Sequence, residues 1–191
     1  MFAAMSSSLF SQDQPPSSPE IKVLVDENAR SLYCYVEQSF KSKGIQYYLL
    51  LPIDSPISLI LWEEEEQEEE QAILIEDEAD IEKLLPEAEA TLAEEALTLK
   101  PTSFTLTVAG ELPEPEDEDI LTLEIETEEG LETEEFQLLA TFSYNNYEYG
   151  IYTPLVPLLF FAKVNSEGDL ELLSLEELKT IRPILEEWMF N

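Results

Sequence analysis

The 191-residue sequence has no histidine, a single cysteine, five glycines and only nine lysines and arginines. Without histidine it lacks the one side chain that ordinarily changes charge near neutral pH, and with it every Cys–His or Ser–His arrangement for nucleophilic catalysis. The five glycines form no phosphate-cradling loop. One cysteine excludes an internal disulfide and fits a reducing compartment. Cys34 stands between Tyr33 and Tyr35 with no basic neighbour to lower its pKa, so it is expected as a small buried residue and not as a reactive thiol. No apolar run approaches the ~20 residues of a membrane-spanning helix. The first twenty residues carry neither the basic start and apolar stretch of a secretory signal nor the arginine bias of a transit peptide. A soluble, cytoplasmic protein with no membrane insertion is the expectation.

Against these absences stands an excess of acid. Aspartate and glutamate number 43 and the formal net charge is −34, yet 44% of the residues are hydrophobic, enough to bury a core. Such a chain repels phosphate backbones and anionic lipid and attracts basic surfaces, so direct binding to nucleic acid is not expected. Among so many carboxylates no pair can be singled out for acid–base chemistry. Neither residues 63–70 nor residues 116–119 have the alternating ligands, central glycine and terminal glutamate of a calcium loop. Neither an enzyme nor a dedicated metal or cofactor site is expected.

Residues 1–20, rich in Ser, Gln and Pro, read as a disordered tail. Residues 21–97 form a first unit. Ile21–Val25 and residues 31–40 read as strands, the second with Leu32, Cys34, Val36 and Phe40 on one face and Tyr33, Tyr35 and Glu37 on the other. After a turn, residues 45–51 return as a strand ended by Pro52, and residues 57–62 form a further, wholly apolar strand. Residues 63–70, seven glutamates and one glutamine, read as a solvated loop. Residues 72–75 resume as a strand. Asp77 then caps a helix whose Ile81, Leu84, Leu85, Ala88 and Leu92 form one stripe, kinked or restarted at Pro86. Residues 98–119 hold a strand candidate at 104–108 and an acidic, proline-containing linker. Residues 120–191 form a second unit, with strands at 120–126, 136–142, 147–153 and 158–164 and a short strand at 170–173. Ser174-Leu175-Glu176-Glu177 then has the form of a capping box and opens a helix carrying Leu178, Ile181, Leu185 and Trp188, interrupted by Pro183.

The two units are versions of one another. Residues 45–52 (IQYYLLLP) parallel residues 147–154 (YEYGIYTP). Phe40 and Phe142 are 102 positions apart, as are Pro52 and Pro154, whereas Ile75 and Leu172, like Pro86 and Pro183, are 97 apart. The five-residue difference is placed in the glutamate run, and a gap confined to a loop is what internal duplication leaves. The fold class expected is α+β: two related antiparallel β-sheet units, each followed by a C-terminal helix, packed through their apolar strands or joined as one continuous sheet.

The acid runs have two compatible readings. One is solubility and the shielding of edge strands; the other is an electrostatic docking surface. On the second, Glu63, Glu64, Glu65, Glu66, Glu68, Glu69 and Glu70 bind a partner, joined by Tyr147, Tyr149 and Tyr152 because aromatics are favoured at interface centres. Core packing is the competing account of each tyrosine. The function expected is a non-enzymatic acidic adaptor or assembly factor docking on a basic protein surface. The alternative is a regulator that mimics nucleic acid and blocks a nucleic-acid-binding enzyme. Oligomeric state stays open.

The repeated layout, carried by residues 44–52 and 147–154 and by helix caps at Asp77 and Ser174, resembles the small acidic YrzB-like proteins of uncharacterised function. It is similar to the longer cyanobacterial and chloroplast proteins that join such a unit to a second conserved domain. The resemblance implies no activity, ligand or catalytic residue. It implies a photosynthetic source, a cytoplasmic or stromal setting, and a binding or assembly role.

Overall fold

A computed structural model describes residues 18–64, 70–127 and 129–189. The expectations for residues 1–17, for Glu65, Glu66, Glu68 and Glu69, and for the Trp188 side chain and Phe190 lie outside the described residues. Period-two stretches become strands β1 (Ile21–Val25), β2 (Ser31–Ser42), β3 (Ile45–Pro52), β4 (Ser55–Glu64) and β5 (Glu70–Leu74), followed by helix α1 (Glu78–Glu94). Strands β6 (Thr98–Pro101) and β7 (Leu106–Ala109) come next. Then follow β8 (Ile120–Thr127), β9 (Gly130–Tyr144), β10 (Tyr147–Pro154), β11 (Phe160–Val164), β12 (Leu170–Leu172) and helix α2 (Leu175–Met189). The chain is therefore mostly antiparallel sheet with two helices, an α+β arrangement.

Strands from the two halves are interleaved. One sheet has the order β1-β2-β3-β11-β12, and the other runs β8-β9-β10-β4-β7-β6 with β5 also paired to β4. Sheets packed through apolar strands and a single continuous sheet are thus both replaced by an exchange, in which β11 joins β3 and β4 joins β10. The corners explain it. Pro52 and Pro154 end their strands, and the next N–H groups bond back to the sheet, Ile53 to the Tyr33 carbonyl and Leu155 to the Glu135 carbonyl, each at 3.0 Å. The chain cannot reverse into a hairpin from there, so it crosses to the other sheet.

Both exchanges use the same register. Ala162 faces Tyr48 as Ile60 faces Gly150, and all four positions keep the 102-residue spacing of Phe40 and Phe142. The ladder irregularity also recurs at this spacing, between Val36 and Gln38 in β2 and opposite Ile151 and Tyr152 in β10. That irregularity corrects one facial assignment. An extra residue at Glu37 shifts the alternation, so Leu32, Cys34 and Val36 point inward while Phe40 stacks on Tyr47 (5.0 Å) on the outer side. Phe142 stacks on Tyr149 in the same way at 5.3 Å. The five-residue difference divides too. Leu74 and Leu172, 98 apart, hold matching places opposite Ile60 and Ala162, so four residues fall between Trp62 and Ala72 and one before the helix cap.

Each sheet curls around its own small core. In the first, Leu24, Leu32, Cys34, Leu50 and Ala162 pack with Leu170 and Leu172 from the far edge; in the second, Ile60, Phe136 and Tyr152 pack with Leu74 and Leu123. The outer face of the second sheet carries a third core. Here Leu84, Ala88 and Leu92 of α1 cover Ile57, Leu59, Phe142 and Ile151, and the β6–β7 hairpin adds Leu99 and Val108. Residues 98–109, where one strand is expected, form a two-stranded hairpin. Phe104 has φ 65° and is 48% exposed, so the strand expected at 104–108 starts at Leu106. The neighbouring Ser103 hydroxyl donates to the Leu24 carbonyl at 2.8 Å, pinning the hairpin to the first sheet.

The helices begin as their capping residues dictate and do not break at their prolines. The Asp77 carboxylate accepts from the Ala79 and Asp80 N–H groups at 2.9 and 3.2 Å. Ser174 accepts from Glu177 N–H at 3.2 Å while Glu177 accepts from Ser174 N–H at 2.9 Å, closing the capping box. Pro86 lies inside a continuous α1 and Pro183 inside a continuous α2, both on exposed faces where water meets the freed carbonyl. Gly150 has the opposite constraint. A Cβ there would run into the Tyr152 ring, which is 4% exposed and held by its hydroxyl to the Trp62 indole N–H at 3.2 Å.

Gly150→Ala is expected to cost about 1–3 kcal/mol by overpacking. Ser174→Ala is expected to cost about 1 kcal/mol and Ser174→Gly only a few tenths. Urea unfolding midpoints check both, and an unchanged midpoint for Gly150→Ala would show that the Tyr152 ring yields freely.

Candidate functional site

Of the acid-run residues, Glu63 and Glu64 end β4 and Glu70 opens β5. These strands extend further into the acid run than the solvated loop expected there, and they set Glu64 directly opposite Glu70. Like charges so placed oppose pairing and are tolerated at an exposed hairpin end, where water and salt screen them. The tyrosines part company. Tyr147 is 50% exposed, Tyr149 is half-buried against Phe142, and Tyr152 lies in the core. Burial pushes the Tyr149 phenol above its ordinary pKa, with Asp80 adding to the effect. Burial raises Tyr152 likewise, opposed in part by the Trp62 hydrogen bond. Tyr147 alone of the three presents its side chain fully to a partner. Tyr152 is corrected to an internal role, because alternation along β10 turns it inward with Gly150.

Most of the few cations are engaged by the chain's own carboxylates. Lys22 meets Glu20 (3.0 Å), Arg30 meets Asp26 and Glu78 (2.7 Å each), Lys83 meets Asp80 (3.0 Å) and Lys100 meets Asp54 (2.9 Å). Lys163 pairs with Glu177, and Arg182 with Glu129. These hydrogen-bonded partners hold Lys163 and Arg182 above their ordinary pKa and Glu177 below the usual carboxylate range. Exposed pairs of this kind contribute little stability each. Their effect is on the field: locally cancelled cations leave the surplus carboxylates unopposed toward solvent. Among the described residues no group of three or more His, Cys, Asp or Glu side chains converges as a metal site.

A second surface was not anticipated. Between α2 and the end of the β8–β9 hairpin lies a cleft of about 690 Å³, floored by Phe161, Leu178 and Leu185, with Lys179, Arg182, Glu129 and Glu132 at its rim. Beside it, the stretch leading into β11 leaves Leu155 (37%), Val156 (74%), Leu158 (40%) and Leu159 (39%) exposed. Leu158 and Leu159 fall at the start of the strand expected at 158–164, which gives no sign of their exposure. The signal available was Pro154 with Pro157, which delays the strand until Phe160. Cys34 belongs to neither surface: it is wholly buried, and burial pushes its thiol up to about 11.

A disulfide exchange reagent at neutral pH is expected to leave native Cys34 unmodified and to release one equivalent of thiolate in urea. Rapid native reaction would place the thiol at the surface.

Two family models match the chain. One, described as a protein of unknown function (DUF3727), covers residues 96–191. The other, also described as a protein of unknown function (DUF1292), covers residues 27–93. No curated protein and no solved structure matches. The boundary between the matches falls just after α1, ahead of the β6–β7 hairpin, so the hairpin goes with the second half. Because the first of these models spans half of its length, the chain belongs to the DUF3727 family of proteins of unknown function.

Proposed function

We propose that the chain is a non-catalytic acidic binding protein, an adaptor or assembly factor that docks on a basic protein surface. One observation carries the reading: the sequence sets 43 acidic residues against nine basic ones, and at least six of those nine are met by the chain's own carboxylates, so the surface has a surplus of one sign to offer. Glu63, Glu64 and Glu70 stand at the paired ends of β4 and β5, and Tyr147 adds an exposed aromatic on the strand beside β4. Two related units belong to the same reading. Support for them comes from the registers, bulges, stacked Phe–Tyr pairs and caps that recur at nearly constant spacing. A photosynthetic source and a cytoplasmic or stromal setting follow from the resemblance noted in the sequence. Among the described residues no helix is long and apolar enough to cross a membrane.

Electrostatic docking is expected to show in the association rate with a basic partner, falling by about one to three orders of magnitude between low and high salt. Stopped-flow or surface-based kinetics measure it, and a salt-independent rate would end the proposal. Glu63→Gln, Glu64→Gln and Glu70→Gln together should lower the low-salt rate and leave the high-salt rate alone. Crowded like charges also oppose folding, so the urea midpoint is expected to rise with added sodium chloride.

A further inference from the structure

The two sheets differ at one place where their geometry otherwise corresponds. β4 is covered at Ser55–Ile57 by β7, through the pairs Ser55 with Val108 and Ile57 with Leu106. At the 102-residue spacing of the exchange, the matching stretch in the first sheet is Pro157-Leu158-Leu159, running into β11. The neighbouring strand stops short at the same point in both sheets. β5 reaches Ile60 and bonds Ile75 N–H to the Leu59 carbonyl (2.9 Å), and β12 reaches Ala162 and bonds Leu173 N–H to the Phe161 carbonyl (3.0 Å). Beyond that point β7 takes over in one sheet. In the other, no described strand does.

The apolar surface follows the same difference. Ile57, beside β7, is 4% exposed, whereas Leu159 is 39% exposed. The cleft along α1 is reduced to about 190 Å³ because Thr102, Phe104 and Leu106 of the hairpin line it. Its counterpart along α2 stays at about 690 Å³, with Leu178 where α1 has Ile81. A smaller hollow of about 220 Å³ lies between Leu49, Leu51 and Leu159, and Leu49 is the ladder partner of Phe161, which lines the cleft.

We propose that this surface, from Leu155–Leu159 to the cleft beside α2, receives an extended strand from a basic protein partner, which adds alongside residues 157–159, just before β11, as β7 adds to Ser55–Ile57 of β4. The chain's own counterpart sets the mode: an extended segment whose alternate apolar side chains enter the core while its backbone completes the ladder. Charge sets the partner. The cleft rim carries Glu126, Glu129, Glu132 and Glu186 against two cations, and Glu37 borders the hollow, so lysines or arginines flanking the apolar positions fit there. This inference rests on the reading of the chain as a protein-binding module, but the contact it describes is apolar and backbone-mediated.

The test uses the full chain and a synthetic peptide of residues 97–109 (LTLKPTSFTLTVA), the segment that fills the counterpart groove, with two lysines added at each end. Fluorescence anisotropy should report saturable binding that persists at 0.5 M salt in strength of order, if weakened, with a scrambled peptide inert. Amide shifts should move at Leu158, Leu159 and Leu178. Leu159→Asp should weaken binding by about tenfold or more, because a carboxylate is then forced into an apolar contact. Its urea midpoint should stay near that of the parent chain, since the side chain is already exposed. Failure of the peptide to saturate, shifts confined to the α1 side, an unaffected Leu159→Asp variant, or occupation of the groove by a second copy in sedimentation would each overturn the proposal. Absence of peptide binding together with salt-dependent docking of a whole partner would remove the strand site and leave the electrostatic reading standing. Peptide binding without any salt-dependent partner would do the reverse.

Discussion

The structure depends on the exchange of strands at two proline corners. Neither curled sheet can close its core from one half of the chain: the first needs Ala162, Leu170 and Leu172 beside Leu24 and Leu50, and the second needs Ile60, Trp62 and Leu74 beside Phe136 and Tyr152. The β3–β11 and β4–β10 ladders join residues about a hundred positions apart, so their loop-closure entropy has to be offset by burial that exists only when both are made. The halves are therefore coupled parts of one hydrophobic structure, even though their element orders run in parallel.

Charge acts on this architecture from outside. The core clusters contain no ionised side chain, and the carboxylates lie on exposed or half-buried positions around them. Some of the cations tie elements together. Arg30 joins the start of β2 to the first turn of α1 through Glu78, Arg182 joins α2 to the β8–β9 turn through Glu129, and Lys163 joins β11 to the capping box of α2 through Glu177. Pairs of this exposure add little stability.

Much of the local structure was legible because it is written in short-range chemistry. Alternation marked β2, the apolar-aromatic runs into Pro52 and Pro154 marked β3 and β10, and Asp77 and Ser174 marked both helix starts. The wrong entries share a cause in tertiary pairing. Phe40 moved to the outer face because one extra residue at Glu37 shifts the alternation, and a bulge of that kind leaves no trace in composition. At residues 98–109 only one strand was legible, because a four-residue strand such as β6 has almost no periodicity; pairing with β7, and of β7 with β4, is what orders it. The prolines looked like helix breaks because their cost is local, whereas the apolar stripe that outweighs it, Leu84, Ala88 and Leu92, runs the length of α1. Of the candidate site, the acidic ends of β4 and β5 could be read as exposed, but the exposure of Tyr147 could not be told from that of Tyr149 and Tyr152. The inward turn of Tyr152 and the open edge before β11 could not be read either, since both are set by which strand lies alongside.

The cores also show how two halves keep one register with different residues. Tyr48 in β3 faces the small Ala162, whereas at the matching pair Gly150 faces the larger Ile60. Two positions on, Leu50 faces Phe160, whereas Tyr152 faces Ser58. Each exchange of large for small on one strand is answered by the opposite exchange across the ladder. Close packing requires this, because an interior with few voids tolerates a change of volume only when a neighbour compensates. Gly150 follows from the same rule: the bulk at Tyr152 spreads over it and leaves no room for a side chain. Residue identity can then drift while shape and register persist. On the proposed reading of two related units, that drift accounts for the two halves being matched by two different family models while their bulges, corners and caps still coincide.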